Sequence, residues 1–282
     1  MERVGEMRDV NRYYDFIYLW SQVIGRFRTF SATGAYAIHR PLLDADSGEY
    51  SDRVIHGLLA EIAADIGLID ALDAGCGYGG SCLDLAGRLG GRWLGVTTNR
   101  RQHRIALRNA RAMGLGGTVD FALASYDMPL PRAFSFIFGI ESLIHSRDPL
   151  RTIANLAGHL QPQGYLVIVD DMLVKPLAPR FHSDVEAFKR LWRCPVMPAI
   201  GEWARHLESA GCSVEDVRDL SHLMWPRTEA ELTAEIASLS RRHWRDMVGL
   251  RMVSEAQKGG LILERLTVAG ASRYIMMTAR KR

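Results

Sequence analysis

Leu72-Asp73-Ala74-Gly75-Cys76-Gly77-Tyr78-Gly79-Gly80 decides how the rest of this 282-residue chain reads. A mostly apolar run from Ile66 to Leu72 ends in Asp73, and glycines then stand at 75, 77 and 79. Ser81 to Leu89 follows with the pattern of a helix. The order is buried strand, tight turn, helix start. Glycines at such a turn let the backbone approach a ligand closely, and the helix N-terminus presents free N–H groups. A strand-to-helix turn of this kind also occurs without a ligand, so its meaning depends on what surrounds it.

Working outward, Trp93 to Thr97, Val119 to Leu123, Phe134 to Ile140 and Tyr165 to Val169 are apolar runs of strand length. Helical patterns at Asp52 to Asp65, Arg100 to Met113 and Pro149 to Leu160 alternate with them, and Gln161 to Gly164 reads as a turn. Ser213 to Leu220 and Arg273 to Thr278 are later strands. Such alternation predicts an α/β fold with a doubly wound, mostly parallel sheet of seven strands, with ligands at the carboxyl ends. Polar groups fall at those ends: Thr98, Asn99 and Gln102, then Ser125, Tyr126 and Asp127, then Glu141 and His145, then Asp170 and Asp171. His145 is suited to proton transfer near neutrality, or it ties down a loop. Asp170 and Asp171 either meet the substrate or cap the segment that follows.

Composition narrows the classes. With 48% apolar residues the chain can bury a sizeable core, and a net charge of +3 argues against a dedicated nucleic-acid binder. The N-P-P-Y-type box expected for amino methylation of bases is absent after the fourth strand. Cys76, Cys82, Cys194 and Cys212 form no C-x-x-C pair, and no histidines complete a zinc pattern with them, so no metal site is expected. Reduced thiols fit a cytoplasmic protein. Met1 to Asp9 lacks an apolar signal core, and no stretch approaches the ~18–20 apolar residues of a membrane span.

Two regions stand outside the alternation. Residues 1–50 carry Tyr13, Phe16, Ile17, Trp20 and Ile24 at helical spacing, which suits a packing helix, a lid over the substrate or a contact in a homo-oligomer. Residues 51–282 form the expected ligand-binding domain, with a proline-bracketed cap insertion at about 173–200 and a helical insertion at about 226–268. Arg100, Arg101, Arg104, Arg108 and Arg111 make one helix cationic, either as a solvated face or as a phosphate or partner site.

Four stretches tie these readings to a family. Dinucleotide folds space their glycines G-x-G-x-x-G, whereas D-A-G-C-G-Y-G-G resembles motif I of the class I S-adenosylmethionine-dependent methyltransferases. Gly95-Val96-Thr97-Thr98-Asn99-Arg100-Arg101-Gln102 is similar to the G-[VI]-T-x-[SN]-x-x-Q string of members acting on sterols, tocopherols and fatty-acyl chains. Ile140-Glu141-Ser142-Leu143-Ile144-His145 is similar to the E-[AS]-x-x-H box of the sterol and tocopherol groups. Tyr14-Asp15-Phe16 with Ala35-Tyr36 resembles the N-terminal segment of the cyclopropane-synthase-like relatives.

The resemblance implies a Rossmann-like fold, S-adenosyl-L-methionine as cofactor and S-adenosyl-L-homocysteine as product. It places Gly75 and Gly77 beneath the methionine part, with Cys76 in the same cofactor-binding turn and Asp73 orienting that loop, and Thr98, Asn99 and Gln102 beside the ribose and adenine. Ser125 and Tyr126 would sit by the adenine and Ile140 at the end of the fourth strand. Thr33 and Tyr36 would close over the methionine end. Glu141, His145 and Tyr14 are the catalytic candidates. The family often has an acidic residue where Ser125 stands, and Asp127 is the nearby substitute. The aromatic residues 13–36 with Trp192, Trp203 and Trp225 suit a small hydrophobic substrate, because aromatic faces stabilise a cation formed on an alkene carbon; ordinary core is the other reading. Methylation of a prenyl or terpenoid carbon in a specialised metabolite is expected first. An oxygen or nitrogen of an aromatic or alkaloid-like acceptor is the alternative, and a non-catalytic S-adenosylmethionine-binding protein is a third reading. If the acceptor bears a diphosphate, Mg²⁺ is expected, with Arg180, Lys189, Arg190 and Arg193 as the cations.

Overall fold

A computed structural model describes residues 37–241 and 250–282. Tyr14, Thr33, Tyr36 and the aromatic stretch before Phe30 lie outside the described residues. In chain order, a hairpin of β1 (Leu42–Leu43) and β2 (Tyr50–Ser51) precedes α1 (Arg53–Ala64) and β3 (Asp70–Ala74). Then come α2 (Gly80–Leu89), β4 (Arg92–Thr97), α3 (Arg100–Ala112), β5 (Val119–Leu123), β6 (Phe134–Ile140), α4 (Pro149–Gly158) and β7 (Leu160–Leu173). The last third holds α5 (His182–Trp192), α6 (Ile200–Ser209), β8 (Cys212–Asp219), α7 (Glu229–Arg241), α8 (Leu250–Val268) and β9 (Ser272–Lys281).

The seven-stranded sheet runs β5-β4-β3-β6-β7-β9-β8. The first five are parallel, and β9 runs antiparallel to both β7 and β8. The expected fold is therefore the observed one: a Rossmann-like, mostly parallel sheet. Side chains alternate cleanly between its faces. Phe136, Phe138, Val167, Val169 and Met276 pack with α1, α2 and α3, while Ile137, Leu166, Ile168, Ile275 and Met277 pack with α4 and α6. That period of two is why the central strands read as continuous apolar runs: both faces are covered.

Three boundaries differ from the sequence reading. The first strand begins at Asp70 rather than Ile66, because Gly67 interrupts the run and Leu68 projects into solvent, 83% exposed. Gln161 to Gly164 lies inside β7 as a bulge: Leu160 pairs with Phe134 and Tyr165 with Phe136, with Gln163 at φ +64°. Before α1, β1 and β2 form a short hairpin at the end of the stretch 1–50, for which the sequence predicts a helical segment.

The two insertions pack on each other. Phe181, Val185, Phe188 and Leu191 of the first meet Ile262, Leu263 and Leu266 of α8 in one apolar cluster, which also takes in Ile144 next to the candidate His145. A roof is thus built over the carboxyl end of β6 and β7.

Candidate active site

The glycine turn is pinned to the neighbouring strand. The N–H groups of Gly75 and Cys76 both donate to the Val96 carbonyl, at 3.1 and 2.9 Å. Gly75 stands at φ +98°, and a Cβ there would lie 2.5 Å from Ser142 Cβ. Only glycine suits both conditions. Ser142 Oγ donates to the Ala74 carbonyl at 2.5 Å, and the Tyr126 hydroxyl donates to the Ser142 carbonyl at 2.9 Å. Asn155 Nδ2 donates to the Tyr126 carbonyl at 2.7 Å and holds that loop from α4. Burial pushes the Tyr126 phenol well above its ordinary range, so it remains a donor at any physiological pH. Ser142 was not singled out from the sequence, since its importance exists only once β3 and β6 lie side by side.

Asp73, one residue before the end of β3, is almost fully buried, and burial pushes its carboxyl up to about 8. No hydrogen bond or counter-charge from the described residues offsets that burial. A buried carboxyl of this kind calls for a cation. S-adenosylmethionine carries an ammonium and a sulfonium, and Asp73 lies two residues before a glycine turn with no counter-charge among the described residues, so the residues present fit this cofactor. Gly77 is at φ +52° and faces Ile38.

At the end of β4, the side chain of Asn99 caps α3 by accepting from the N–H groups of Arg101 and Gln102, at 2.8 and 3.0 Å. Thr97 Oγ1 donates to Gln102 Oε1 at 2.7 Å. Asn99 and Gln102 are buried and shape the turn from within, while Thr98 is exposed at its tip. Arg100, Arg104, Arg108 and Arg111 face outward, as a solvated face requires. Ser125 donates to Asp127 at 3.3 Å, and Thr152 also donates to Asp127 in a very short contact, so that carboxylate is engaged within its own loop.

On the acceptor side, β6 and β7 end in a tight polar cluster. Ile140 is the last residue of β6 and packs on the α1–α3 side core. Glu141 follows at φ +48°, with its N–H on the Val169 carbonyl at 2.8 Å. Its Oε1 accepts from the Arg40 backbone N–H at 2.9 Å and from the Tyr274 hydroxyl at 2.8 Å. The Arg40 guanidinium grips Asp171 with both nitrogens at 3.2 Å and stacks 4.8 Å from the Tyr274 ring centre. Asp170 accepts from the Ile144 N–H at 3.0 Å, and burial together with Asp171 and Glu141 pushes its carboxyl far above the usual range. Asp171 thus holds the Arg40 guanidinium and Glu141 its backbone N–H, while Asp170 lies beside them and accepts from backbone N–H groups. Arg40 and Tyr274 are functional candidates that no sequence motif marked.

His145 lies on a short 3-10 turn below the roof, with Nδ1 3.7 Å from Cys194 Sγ. Burial lowers its pKa to about 4, so the imidazole is neutral at physiological pH. The tryptophans answer the aromatic expectation differently. Trp203 is buried in the core on the α4–α6 side, so it cannot line the acceptor site. The Trp192 indole N–H donates to the Ala256 carbonyl at 2.9 Å and joins the two insertions. Trp225 is 63% exposed and packs 4.7 Å from the Tyr50 ring. Of the four insertion cations, Arg193 pairs with Glu255 at 2.9 Å and Lys189 with Glu186 at 2.8 Å. Among the described residues, no helix is long and apolar enough to cross a membrane.

Comparison with known proteins places this geometry. Residues 72–168 match the family model described as a methyltransferase domain. Methyltransferase GfsG of Streptomyces halstedii is 31% identical over 192 residues, 64% of this chain and 69% of that protein. O-methyltransferase cnsE of Penicillium expansum is 30% identical over 53% of this chain, which spans only 49% of that protein. Among solved structures, geranyl diphosphate C-methyltransferase from Streptomyces coelicolor A3(2), in complex with Mg²⁺, geranyl diphosphate and S-adenosyl-L-homocysteine, aligns with a TM-score of 0.67. That alignment covers 98% of each chain at 18% identity, a likeness of fold.

Proposed function

Because the chain belongs to the class I S-adenosylmethionine-dependent methyltransferases, we propose that it methylates a hydroxyl oxygen of a small specialised metabolite in the chamber at the ends of β6 and β7. The observation that carries this reading is that Ser142, which touches the glycine turn, is preceded by Glu141, linked to Asp171 through Arg40, and followed by Ile144, bonded to Asp170, and by His145. The bound cofactor supplies a methyl group already activated on a sulfonium. What remains for the protein is to align the acceptor and to receive its proton. Alignment alone can lower the barrier by ~7–11 kcal/mol in favourable cases. The neutral imidazole of His145 is the proton acceptor in this reading, and Glu141, whose Oε1 is fixed by Arg40 and Tyr274, orients the hydroxyl with its other oxygen. Asp73, Gly75, Cys76 and Gly77 would carry the methionine end, with Tyr126 and Ser142 as the floor.

Methyl transfer to an alkene carbon is the second reading, favoured by the buried carboxylates that would steady a transient carbocation. It is the weaker one: Arg40 already occupies a face of Tyr274, and Trp203 lies in the core. A magnesium-bound diphosphate acceptor belongs to this second reading only. We also assign residues 1–50 to a lid or oligomer contact; deleting residues 1–30 and measuring mass in solution tests it, an unchanged subunit count speaking against the contact.

The test is a product assay with methyl-labelled S-adenosylmethionine against matched phenols, alcohols, amines and prenyl alkenes, with products assigned by NMR. An O-methyl product is expected. His145→Ala should cut turnover by about 10²–10⁴-fold while binding of S-adenosylhomocysteine is kept. Turnover of wild type should stay flat from about pH 5.5 to 8, since His145 titrates at about 4. Full turnover in both His145→Ala and Glu141→Gln, or methylation of alkene carbon alone, would sink the hydroxyl reading.

A further inference from the structure

Behind the glycine turn lies a second cluster that no sequence pattern announced. His39 precedes the β1–β2 hairpin, Asp52 precedes α1, His56 lies one turn into α1, and all three are buried. One ligand atom from each comes within 4.8 Å of the other two. The Nε2 atoms of the two imidazoles face each other at 3.0 Å, with the rings edge-on at 73°. His56 Nδ1 is 2.8 Å from Asp84 Oδ2, and His39 Nδ1 is 3.3 Å from the Arg40 carbonyl. A carboxylate and a carbonyl both demand an N–H, so each ring carries its proton on Nδ1. Both Nε2 lone pairs then point at one another. The oxygen Asp52 Oδ2 is buried with no hydrogen-bond partner, and Asp52 makes no side-chain cap to α1.

Two lone pairs and an unpartnered carboxylate oxygen, converging in a buried place, are a ligand set lacking its cation. We propose that His39 Nε2, His56 Nε2 and Asp52 Oδ2 bind a divalent metal ion of the zinc class, with Ser81 Oγ or a water as fourth ligand. Ser81 Oγ lies 3.0 Å from His56 Nε2, on the same side as His39. Donor atoms around a tetrahedral zinc stand about 3.3 Å apart, so the two imidazoles are already near their spacing and Asp52 reaches the ion by a side-chain rotation. Zinc-bound histidines characteristically donate their other ring N–H to a carboxylate or carbonyl, which is the role of Asp84 and the Arg40 carbonyl. Imidazole with carboxylate suits zinc better than Mg²⁺ or Ca²⁺, which prefer oxygen ligands.

The ion would be structural. It would tie residues 39–52 to α2, the helix that leaves the glycine turn. Arg40, beside His39, gives its N–H to Glu141 and its guanidinium to Asp171. A metal here would therefore hold the cofactor turn and the acceptor chamber in one frame, without touching either ligand.

The experiment uses the full chain, stripped with chelator and titrated with Zn²⁺, with metal content read by mass spectrometry and Co²⁺ substitution read by visible absorption. One Zn²⁺ per chain is expected, with a tetrahedral Co²⁺ spectrum and a rise in thermal midpoint on Zn²⁺ addition. His39→Gln and Asp52→Asn should each weaken binding by about tenfold or more and abolish that rise. His56 is in the core, so its variant is not needed. Binding of S-adenosylhomocysteine by the two variants shows that they remain folded. Absence of metal uptake by wild type overturns the proposal and leaves a hydrogen bond between the two rings, one of them re-tautomerised. Equal uptake by wild type and both variants overturns it too.

Discussion

Ser142 Cβ stands 2.5 Å from where a Cβ on Gly75 would project, so the cofactor turn and the acceptor strand touch through a residue that has no side chain. Gly75→Ala must therefore either push Ser142 away or open the turn, on top of ~1–2 kcal/mol for a left-handed residue. The expected result is a folded protein with a lower thermal midpoint and S-adenosylhomocysteine affinity about tenfold weaker. Adding Ser142→Gly should recover part of that affinity in calorimetric titration. Wild-type affinity in the single variant would show that this contact does not shape the site.

Asp73 makes the protein pH-sensitive with a defined sign. Its folded pKa of about 8 lies above the ordinary 3.8, so the folded state holds a proton that the unfolded state releases. Stability is fullest below the ordinary value and is lost as pH rises toward 8. Asp73→Asn should thus gain stability relative to wild type between about pH 5 and pH 8, read from urea midpoints. A cationic ligand reverses the preference, so S-adenosylhomocysteine should bind more tightly as pH climbs to about 8 and release a proton below it. Parallel urea curves for both proteins would contradict this.

Arg40 is the counter-charge for a carboxylate that is only 3% exposed. Arg40→Ala leaves Asp171 buried without it, a change that typically costs ~3–5 kcal/mol. Chemical denaturation should show a loss near the lower end of that range, because the Arg40 side chain itself is 19% exposed. Asp171→Asn in the same chain should restore part of the loss. An unchanged midpoint for Arg40→Ala would show that water reaches Asp171.

Asn99→Ala removes two hydrogen bonds to the first turn of α3. A lost N-cap costs ~0.5–2 kcal/mol, and the urea midpoint should fall accordingly. Asn99→Asp, which keeps the acceptor oxygen, should retain most of the stability. If both variants fall equally, the capping role assigned to Oδ1 is wrong.

Much of this fold was readable before any coordinates. The strands at 119–123 and 134–140 occur where the apolar runs placed them, and helices begin within two residues of their expected starts, since these depend on local periodicity and caps. Asn99 at the mouth of a helix carries its role in its own neighbourhood. The start of β3 was misplaced because an apolar run reports burial preference, whereas pairing with β4 and β6 decides where a strand begins. Trp203 stayed open between the acceptor site and the core for a related reason: composition shows that an aromatic is present but not which layer receives it, and the structure places it in the core.

By itself, the sequence determined the order of strands and helices, the glycine turn after β3 and the family that turn belongs to, because each is written in residues a few positions apart. Only the tertiary structure decided which distant groups meet. Arg40 reaches Glu141 and Asp171 across more than a hundred residues, Tyr274 arrives on the last strand, and His39, Asp52 and His56 turn their ligand atoms toward one point. Those encounters follow from the strand order and from what is buried between helices and sheet, and no local pattern encodes them.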